Sequence, residues 1–343
     1  MSTGLLSASH RQRLGAYARV PRRAVRGRWW VREAAIMGTR IRAELWADDE
    51  RQAEAALAAV MAEMHRIDAA MSPHKPGSEL SRINREAGER PVPLSDEMYT
   101  LIEQALAWSA RSDGAFDISY AAVGRLYDYR SGRRPDEASL ARAREAVGWQ
   151  HLELDAKRRT LRFARPGMCI DLGGFAKGHA VDGAVARLQA LGIEHAMVAA
   201  GGDSRVLGDR RGRPWTVAIR HPRRTDAPAA VLPLQDVSIS TSGDYERYFI
   251  DAEGRRHHHL IDPASGRSPE RVHSVTVIAP DGLNAEALSK CVFVMGVERG
   301  LALVQAQPGA DAVVVDAQGR LHVSAGLQAI GPDGPPPTVS DGR

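Results

Sequence analysis

Met168-Cys-Ile-Asp-Leu-Gly-Gly-Phe-Ala-Lys-Gly-His-Ala180 is the most structured stretch of this 343-residue chain. Its apolar start, Met168 to Leu172, reads as a strand, Gly173 and Gly174 as a turn, and the residues after them as a helix. That helix carries Ala176, Ala180, Val181, Ala184, Val185 and Leu188 at helical spacing and stops at Gly192. Backbone N–H groups at a helix start, beside glycines that let a ligand come close, favour an anion, and Lys177 adds a point charge. The run is neither Gly-x-Gly-x-x-Gly nor the Walker pattern, so the common nucleotide motifs do not account for it. A tight strand-to-helix turn with a solvated lysine suits the same residues.

The flanking segments decide between a doubly wound sheet and a hairpin-built one. Upstream, alternation predicts one strand from Ile36 to Trp46, then a helix with Leu57, Val60, Met61, Met64 and Ile67 at its core face. Met71 to Ser78 is loop, and Glu79 to Asn84 is short and polar on one side. Ser95 caps a second helix that carries Met98, Leu101, Ile102, Ala105 and Trp108. Residues 131–150 form a basic connector and helix, and His151 to Phe163 a hairpin around Asp155-Ala-Lys. Downstream, Ala196-Met-Val-Ala, Trp215-Thr-Val-Ala-Ile, Val237-Ser-Ile-Ser, Tyr248-Phe-Ile and Ser274-Val-Thr-Val-Ile are strand-like. A helix from about 283 to 306 and a hairpin turning at Gln318-Gly319 complete the body. Strands in hairpin runs as well as beside helices predict an α+β fold of mixed, largely antiparallel sheets with packed helices.

Composition sets the boundaries. With 43% hydrophobic and 26% charged residues, 32 Gly and 19 Pro, the chain is an ordinary globular protein, not a disordered, collagenous or disulfide-stapled one. No apolar run approaches the roughly 20 residues that span a bilayer, so it is not an integral membrane protein. Lys and Arg number 46 against 42 Asp and Glu, but eight arginines and no acid fall in residues 1–32. A basic, flexible arm (1–34), a body (35–328) and a Pro/Gly-rich tail (329–343) follow from that distribution. Arg22-Arg23 lacks the apolar segment of an export signal, which points to the cytoplasm, with the periplasm as the alternative. Aromatics are 5% and scattered, so a stacking platform for nucleic acid is not expected. Cys169 and Cys291 sit in apolar stretches without a Cys-x-x-Cys partner and read as core thiols.

The chemistry-bearing residues cluster in Gly- and Asp-rich strand ends, Met197-Val-Ala-Ala-Gly-Gly-Asp203 and Thr241-Ser-Gly-Asp-Tyr245, and in His257-His-His259. The histidines open a strand, with His257 and His259 pointing the same way. No third-ligand spacing supports a metal site; a neutral imidazole oriented by Asp262 suits a general base, and polar positions on an edge strand suit the same pattern.

Seven blocks in order then form a pattern: Met37-Gly-Thr, Ser78 to Asn84, Asp113 to Ser119, Asp171 to Gly178, Ala200 to Asp203, Ser242 to Tyr245 and His259 to Gly266. Together they resemble the FAD:protein FMN transferases, the ApbE-like flavin transferase family, over about residues 35–328. The resemblance implies an ApbE-like fold with two lobes around an FAD site. It implies transfer of the FMN half of FAD, with Mg²⁺, to a Ser or Thr hydroxyl of a target flavoprotein, releasing AMP. It further implies that Met37, Asn84, Asp117, Lys177, Asp182, Ser242, Gly243, His259 and Asp262 line the FAD site, with His259 the catalytic base and Lys177 on the phosphates.

One block departs. Where the family pattern reads Ala-Asp-Ala-Leu-(Ala/Ser)-Thr, with the Asp and Thr taking part in Mg²⁺ binding, this chain has Ala285-Glu-Ala-Leu-Ser-Lys290. Glu286 remains a hard oxygen ligand, but an ammonium four residues on, on the same helical face, repels a cation. Two arrangements are open. Lys290 replaces the metal's charge, pairing with Glu286 or meeting the FAD pyrophosphate; or Lys290 points to solvent, and Glu286 with the Ala176 carbonyl holds Mg²⁺. A non-transferring FAD carrier or assembly protein and an FAD pyrophosphatase are the alternatives to the transferase. Ser119 and Ser265 stand where the family usually has Thr and keep the hydroxyl.

Overall fold

The computed structural model describes residues 27–224 and 226–327. The chain opens with a hairpin, β1 (Arg28–Ile36) and β2 (Thr39–Ala47), turning at Met37 and Gly38, whose φ angles are 55° and 67°. The single strand predicted from Ile36 to Trp46 is therefore two, so the body begins strand, strand, helix. A two-residue turn with both φ positive is normally marked by Asn-Gly or Asp-Gly, and Met37 hides that mark. Residues 28–34, assigned by composition to the basic arm, belong to β1. Trp29 meets Trp46 and Trp215 edge-on at 5.6 and 5.3 Å, and the Arg28 guanidinium lies 3.8 Å over Trp30. Residues 1–26 of the arm and the 329–343 tail lie outside the described residues.

The helices follow their caps. Asp49 caps α1 (Glu50–Met71) at Gln52 N, Ser78 caps α2 (Glu79–Glu86) at Ser81 N, and Ser95 caps α3 (Asp96–Arg111) at Met98 N. Then come α4 (Ala121–Gly124), α5 (Glu137–Arg144) and α6 (Ala176–Ala190). The 283–306 helix is divided into α7 (Gly282–Met295) and α8 (Val297–Gln305) at Gly296, φ 84°. Apolar periodicity on both sides masks the break, which only a residue free to take positive φ permits.

An eight-stranded sheet organises the rest, in the order β1-β2-β6-β7-β10-β13-β14-β15, with β6 Ala196–Ala200, β7 Asp203–Leu207, β10 Ser238–Gly243, β13 Val272–Ala279, β14 Asp311–Asp316 and β15 Leu321–Val323. Every neighbour pair is antiparallel. Three small sheets flank it: β3 (Val92–Pro93), β5 (Thr160–Phe163) and β4 (Leu152–Asp155); β8 (Trp215–Arg220) with β9 (Pro228–Leu234); and β11 (Tyr248–Ile250) with β12 (Arg256–His258). The α+β architecture is as the hairpin runs implied.

Alternation along the central strands divides the burial. Val275, Val277, Ala312 and Val314 join the main core under α1, α6 and α7, while Ile239, Ile278 and Val313 pack with Trp215, Ile219 and Leu232 of the β8–β9 hairpin. On β10 the same period turns Ser240 and Ser242 toward α7, where both meet Ser289. Cys169 and Cys291 are buried and unpaired, as core thiols. Among the described residues no helix is long and apolar enough to cross a membrane.

Candidate active site

The glycine-rich stretch is not held as a strand. Met168 to Leu172 is pinned by a side chain: Asn84 Nδ2 donates to the Ile170 carbonyl at 2.9 Å, and Asn84 Oδ1 accepts from Ile170 N at 2.8 Å. Asp171 N donates to the Ile118 carbonyl at 3.0 Å. An amide that gives and takes a bond satisfies the backbone as a ladder partner would, which is why strand composition appears without a strand.

This pinning fixes the start of α6, where two helices touch backbone to backbone. A Cβ on Gly178 would stand 2.2 Å from the Gly282 carbonyl, and one on Gly282 would stand 2.6 Å from that of Gly178. The close crossing lets Glu286 of α7 reach the first turn of α6. Its Oε2 accepts from Gly178 N at 2.7 Å, and its Oε1 is bonded to Lys177 Nζ. The helix start that the sequence offers to a phosphate thus already receives a carboxylate.

Four charges meet there. Lys177 Nζ is also 2.7 Å from Asp203 Oδ2, and Asp203 Oδ1 accepts from Ser240 Oγ at 2.6 Å. Lys290 Nζ lies 3.8 Å from Glu286 Oε1 and 3.4 Å from Ser289 Oγ. The Glu286 side chain is 0% exposed and that of Lys290 18%, which excludes a lysine pointing to solvent. Burial opposes the Lys177 charge, but Asp203 and Glu286 outweigh it and hold the ammonium above its ordinary range. For Lys290 burial wins: its pKa is lowered, and the two carboxylates offset only part of the cost.

His259 faces this quartet. Burial and then the positive charge of Lys290 push its pKa down to about 3, so the ring is neutral near pH 7. Its backbone N donates to the Arg247 carbonyl at 3.0 Å. Nδ1 is buried without a partner. The other two histidines are structural. His257 Nε2 is 2.7 Å from Asp251 Oδ2, and His258 Nε2 is 3.0 Å from the Pro269 carbonyl with its ring edge-on to Phe293. They close β12 rather than open it, so the alternation expected to align His257 with His259 ends one residue short. Asp262 does not orient His259, contrary to expectation: its Oδ1 accepts from Ala264 N at 3.0 Å and shapes the following turn.

The remaining predicted residues fall around this centre or behind it. Ser242 Oγ is 2.8 Å from Ser289 Oγ, and a Cβ on the adjacent Gly243 would strike the Tyr245 ring at 2.4 Å. Met37 sits in the β1–β2 turn and Ala176 opens α6. Asp117 is buried and accepts from Ser119 N and Trp149 N, and Ser119 and Ser265 both use their hydroxyls in local hydrogen bonds. Asp182 serves α7: its carboxylate accepts from Gly282 N and Leu283 N and pairs with Arg205. A cavity of about 500 Å³ borders Asp182, with Glu97, His179, Asp281 and Asn284, but contains none of Lys177, His259 and Lys290. Its acidic rim disfavours a pyrophosphate. Asp203 and Ser289 are partners that the sequence assigned no role. Asp203 closes a Gly-Gly-Asp strand end, but nothing in its neighbours along the chain shows that it meets Lys177.

The donor set does not suit Mg²⁺. Both carboxylates are engaged by lysine or backbone N–H, Lys290 brings only hydrogen-bond donors, and among the described residues no group of three His, Cys, Asp or Glu could hold a metal ion.

The model of the ApbE family matches residues 37–314. The FAD:protein FMN transferase of Treponema pallidum is 33% identical over 321 residues, 88% of each chain, and that of Vibrio cholerae is 34% identical over 250 residues, 71% of this chain and 74% of the other. Among solved structures, the ApbE protein of Thermotoga maritima superposes with a TM-score of 0.81 at 31% identity, covering 88% of this chain and 98% of that one. The flavin transferase ApbE from Vibrio cholerae gives 0.79 at 27% identity, covering 88% and 99%.

Proposed function

The chain belongs to the ApbE family, and we propose that its flavin transfer runs on the residues gathered at the α6–α7 crossing. FAD is the substrate, and a target flavoprotein with a Ser or Thr hydroxyl is the acceptor. The observation that carries the site assignment is the convergence of His259, Lys177 and Lys290, which lie 82 to 113 residues apart in pairs that include 177 and yet share one electrostatic neighbourhood.

The acceptor hydroxyl attacks the FMN-side phosphorus of FAD. The new bond is acceptor O–P; the bond that breaks joins that phosphorus to the bridging oxygen, which leaves with AMP; the hydroxyl proton passes to His259 Nε2. A hydroxyl is a weak nucleophile until a base takes its proton. His259 starts neutral, as a base must, and a pKa near 3 makes it a weak one in the ligand-free site. The negative charge of a bound pyrophosphate raises that value by opposing Lys290, so the substrate strengthens its own base. Ser242, Gly243 and Met37 are placed by this proposal along the flavin and ribityl side, and Asn84 and Asp117 act behind it by holding the 168–172 segment and its neighbour. Since the donor set does not fit Mg²⁺, no step is assigned to a metal.

Incubation with FAD and an acceptor domain, followed by intact-mass analysis, tests the reading. The expected result is a gain of one FMN on the acceptor, lost in His259→Ala. AMP with free FMN and no acceptor adduct would instead mark a pyrophosphatase, and bound FAD without any AMP a carrier.

A further inference from the structure

Lys290 is a largely enclosed cation with loose contacts. Of the three N–H groups of an ammonium, one makes a 3.4 Å bond to Ser289 Oγ, and the contact with Glu286 is a loose 3.8 Å. Lys177, by contrast, is clamped between Asp203 and Glu286. With a side chain 18% exposed and only these two long protein contacts, the ammonium is held at the edge of the quartet and can turn toward an anion that enters the site. After burial, the charge of Lys290 is the next cause of the lowered His259 pKa, so the ammonium and the proposed base share one electrostatic neighbourhood.

We propose that Lys290 is the built-in cation of this site: its ammonium binds the FAD pyrophosphate and offsets the charge of the departing AMP phosphate, so that transfer requires no divalent metal. The proposal rests on flavin transfer as the chain's function. Lys177 cannot take this role alone, since its carboxylate partners already hold it in place. Lys290 projects from α7 four residues after Glu286, so one helix carries both the carboxylate that fastens the α6 start and the cation left for the ligand. A magnesium ion on Glu286 would sit about 2 Å from a carboxylate oxygen, displacing Lys177 and facing the Lys290 ammonium around a fully buried carboxylate, where like charges repel more than at the surface. The reaction still balances without it: the acceptor O–P bond forms, the P–O bond to the bridging oxygen breaks, AMP keeps that oxygen, and the proton goes to His259.

The test uses the full chain. Calorimetry with MgCl₂ alone should show no binding at millimolar concentration, and FAD affinity, followed by flavin fluorescence, should be the same in EDTA and in Mg²⁺. Lys290→Thr should weaken FAD binding in EDTA about ten- to a hundredfold, the value of one charge-assisted hydrogen bond, with Lys290→Arg recovering part of it. Transfer by the wild type, read as acceptor mass, should be equally fast in EDTA. Tight Mg²⁺ binding, an Mg²⁺-dependent rise in FAD affinity, or unchanged FAD binding in Lys290→Thr with its fold verified by circular dichroism would each overturn the proposal. The binding arms need no turnover: absence of acceptor labelling with the predicted FAD behaviour would remove the transferase reading and leave the lysine's role standing.

Discussion

Helix α6 carries two ion networks within one turn of each other, and they differ in what surrounds them. At its start, Lys177 joins Asp203, Glu286 and Lys290, with the two carboxylates 4% and 0% exposed. Two residues on, His179 joins Glu97, Arg66 and Glu63 on the flank, where Arg66 is 44% and Glu97 30% exposed and only Glu63, at 6%, is buried. By geometry the flank is the better-made network: Arg66 forks onto Glu97 at 2.6 and 2.8 Å and onto Glu63 at 2.7 and 3.1 Å. By energy it matters less, because water screens it. The inner quartet costs several ions' worth of desolvation, and apolar residues of like size would often hold two helices together as well. A quartet built on two buried carboxylates and retained at that cost, next to a neutral histidine, points to chemistry; a network whose Arg66–Glu97 pair stands in water points to helix registration.

The largest expected effect breaks the comparison if it fails. His259→Ala should slow transfer about 10²- to 10⁴-fold, the range for loss of a positioned base, while Glu97→Gln should leave the initial rate of acceptor labelling within about twofold, as befits an exposed pair. Equal losses in the two variants would show that the flank takes part in catalysis and that burial is no guide here.

Removing one inner partner comes next. Glu286→Ala leaves Lys177 with a single carboxylate, frees Gly178 N, and should cost about 3–5 kcal/mol in urea unfolding, the scale for an uncompensated buried charge. A cost below about 1 kcal/mol would place Glu286 in the class of surface ion pairs. Gly178→Ala should follow at about 1–3 kcal/mol, since its Cβ would meet the Gly282 carbonyl at 2.2 Å and force the two helices apart. That variant separates fit from charge: it should weaken FAD binding in proportion to the shift of Glu286 while leaving the flank intact.

The two networks also differ in how far the sequence reveals them. Ser95, Met98 and the apolar spacing behind them make α3 legible because a helix start is written in adjacent residues. Glu286 and Lys290 are legible as a pair for the same reason, being four apart on one helix. That Lys177 stands between Asp203 and Glu286 is not legible, since it depends on Gly178 and Gly282 meeting across about a hundred residues, and a glycine in sequence does not say what passes over it. The same limit explains the hidden hairpin at Met37-Gly38 and the strand-like Met168–Leu172, whose backbone is satisfied by Asn84 from far upstream. Asp262 shows the converse error: a carboxylate three residues from His259 looked like its partner, but a short turn used it first.

The smallest effect is the acid response of the flank. A hydrogen bond from Arg66, with a second from His179, holds the Glu97 carboxyl at about 2, against roughly 4.3 for an unperturbed Glu. Because the folded value is the lower one, the unfolded chain binds the proton first as pH falls. The network's contribution is therefore complete above about pH 4.3 and is lost as pH drops toward 2. Exposure discounts its size to under about 1 kcal/mol, and salt should shrink it further. Glu97→Gln should accordingly lower stability slightly at pH 7 and converge with the wild type near pH 2, measured by urea unfolding at low ionic strength. A gap that persists in 0.5 M salt, a concentration at which the screening length is only about 4 Å, would mean that the Arg66 fork is shielded from solvent after all, and the contrast between the two ends of one helical turn would then rest on partner geometry rather than on burial.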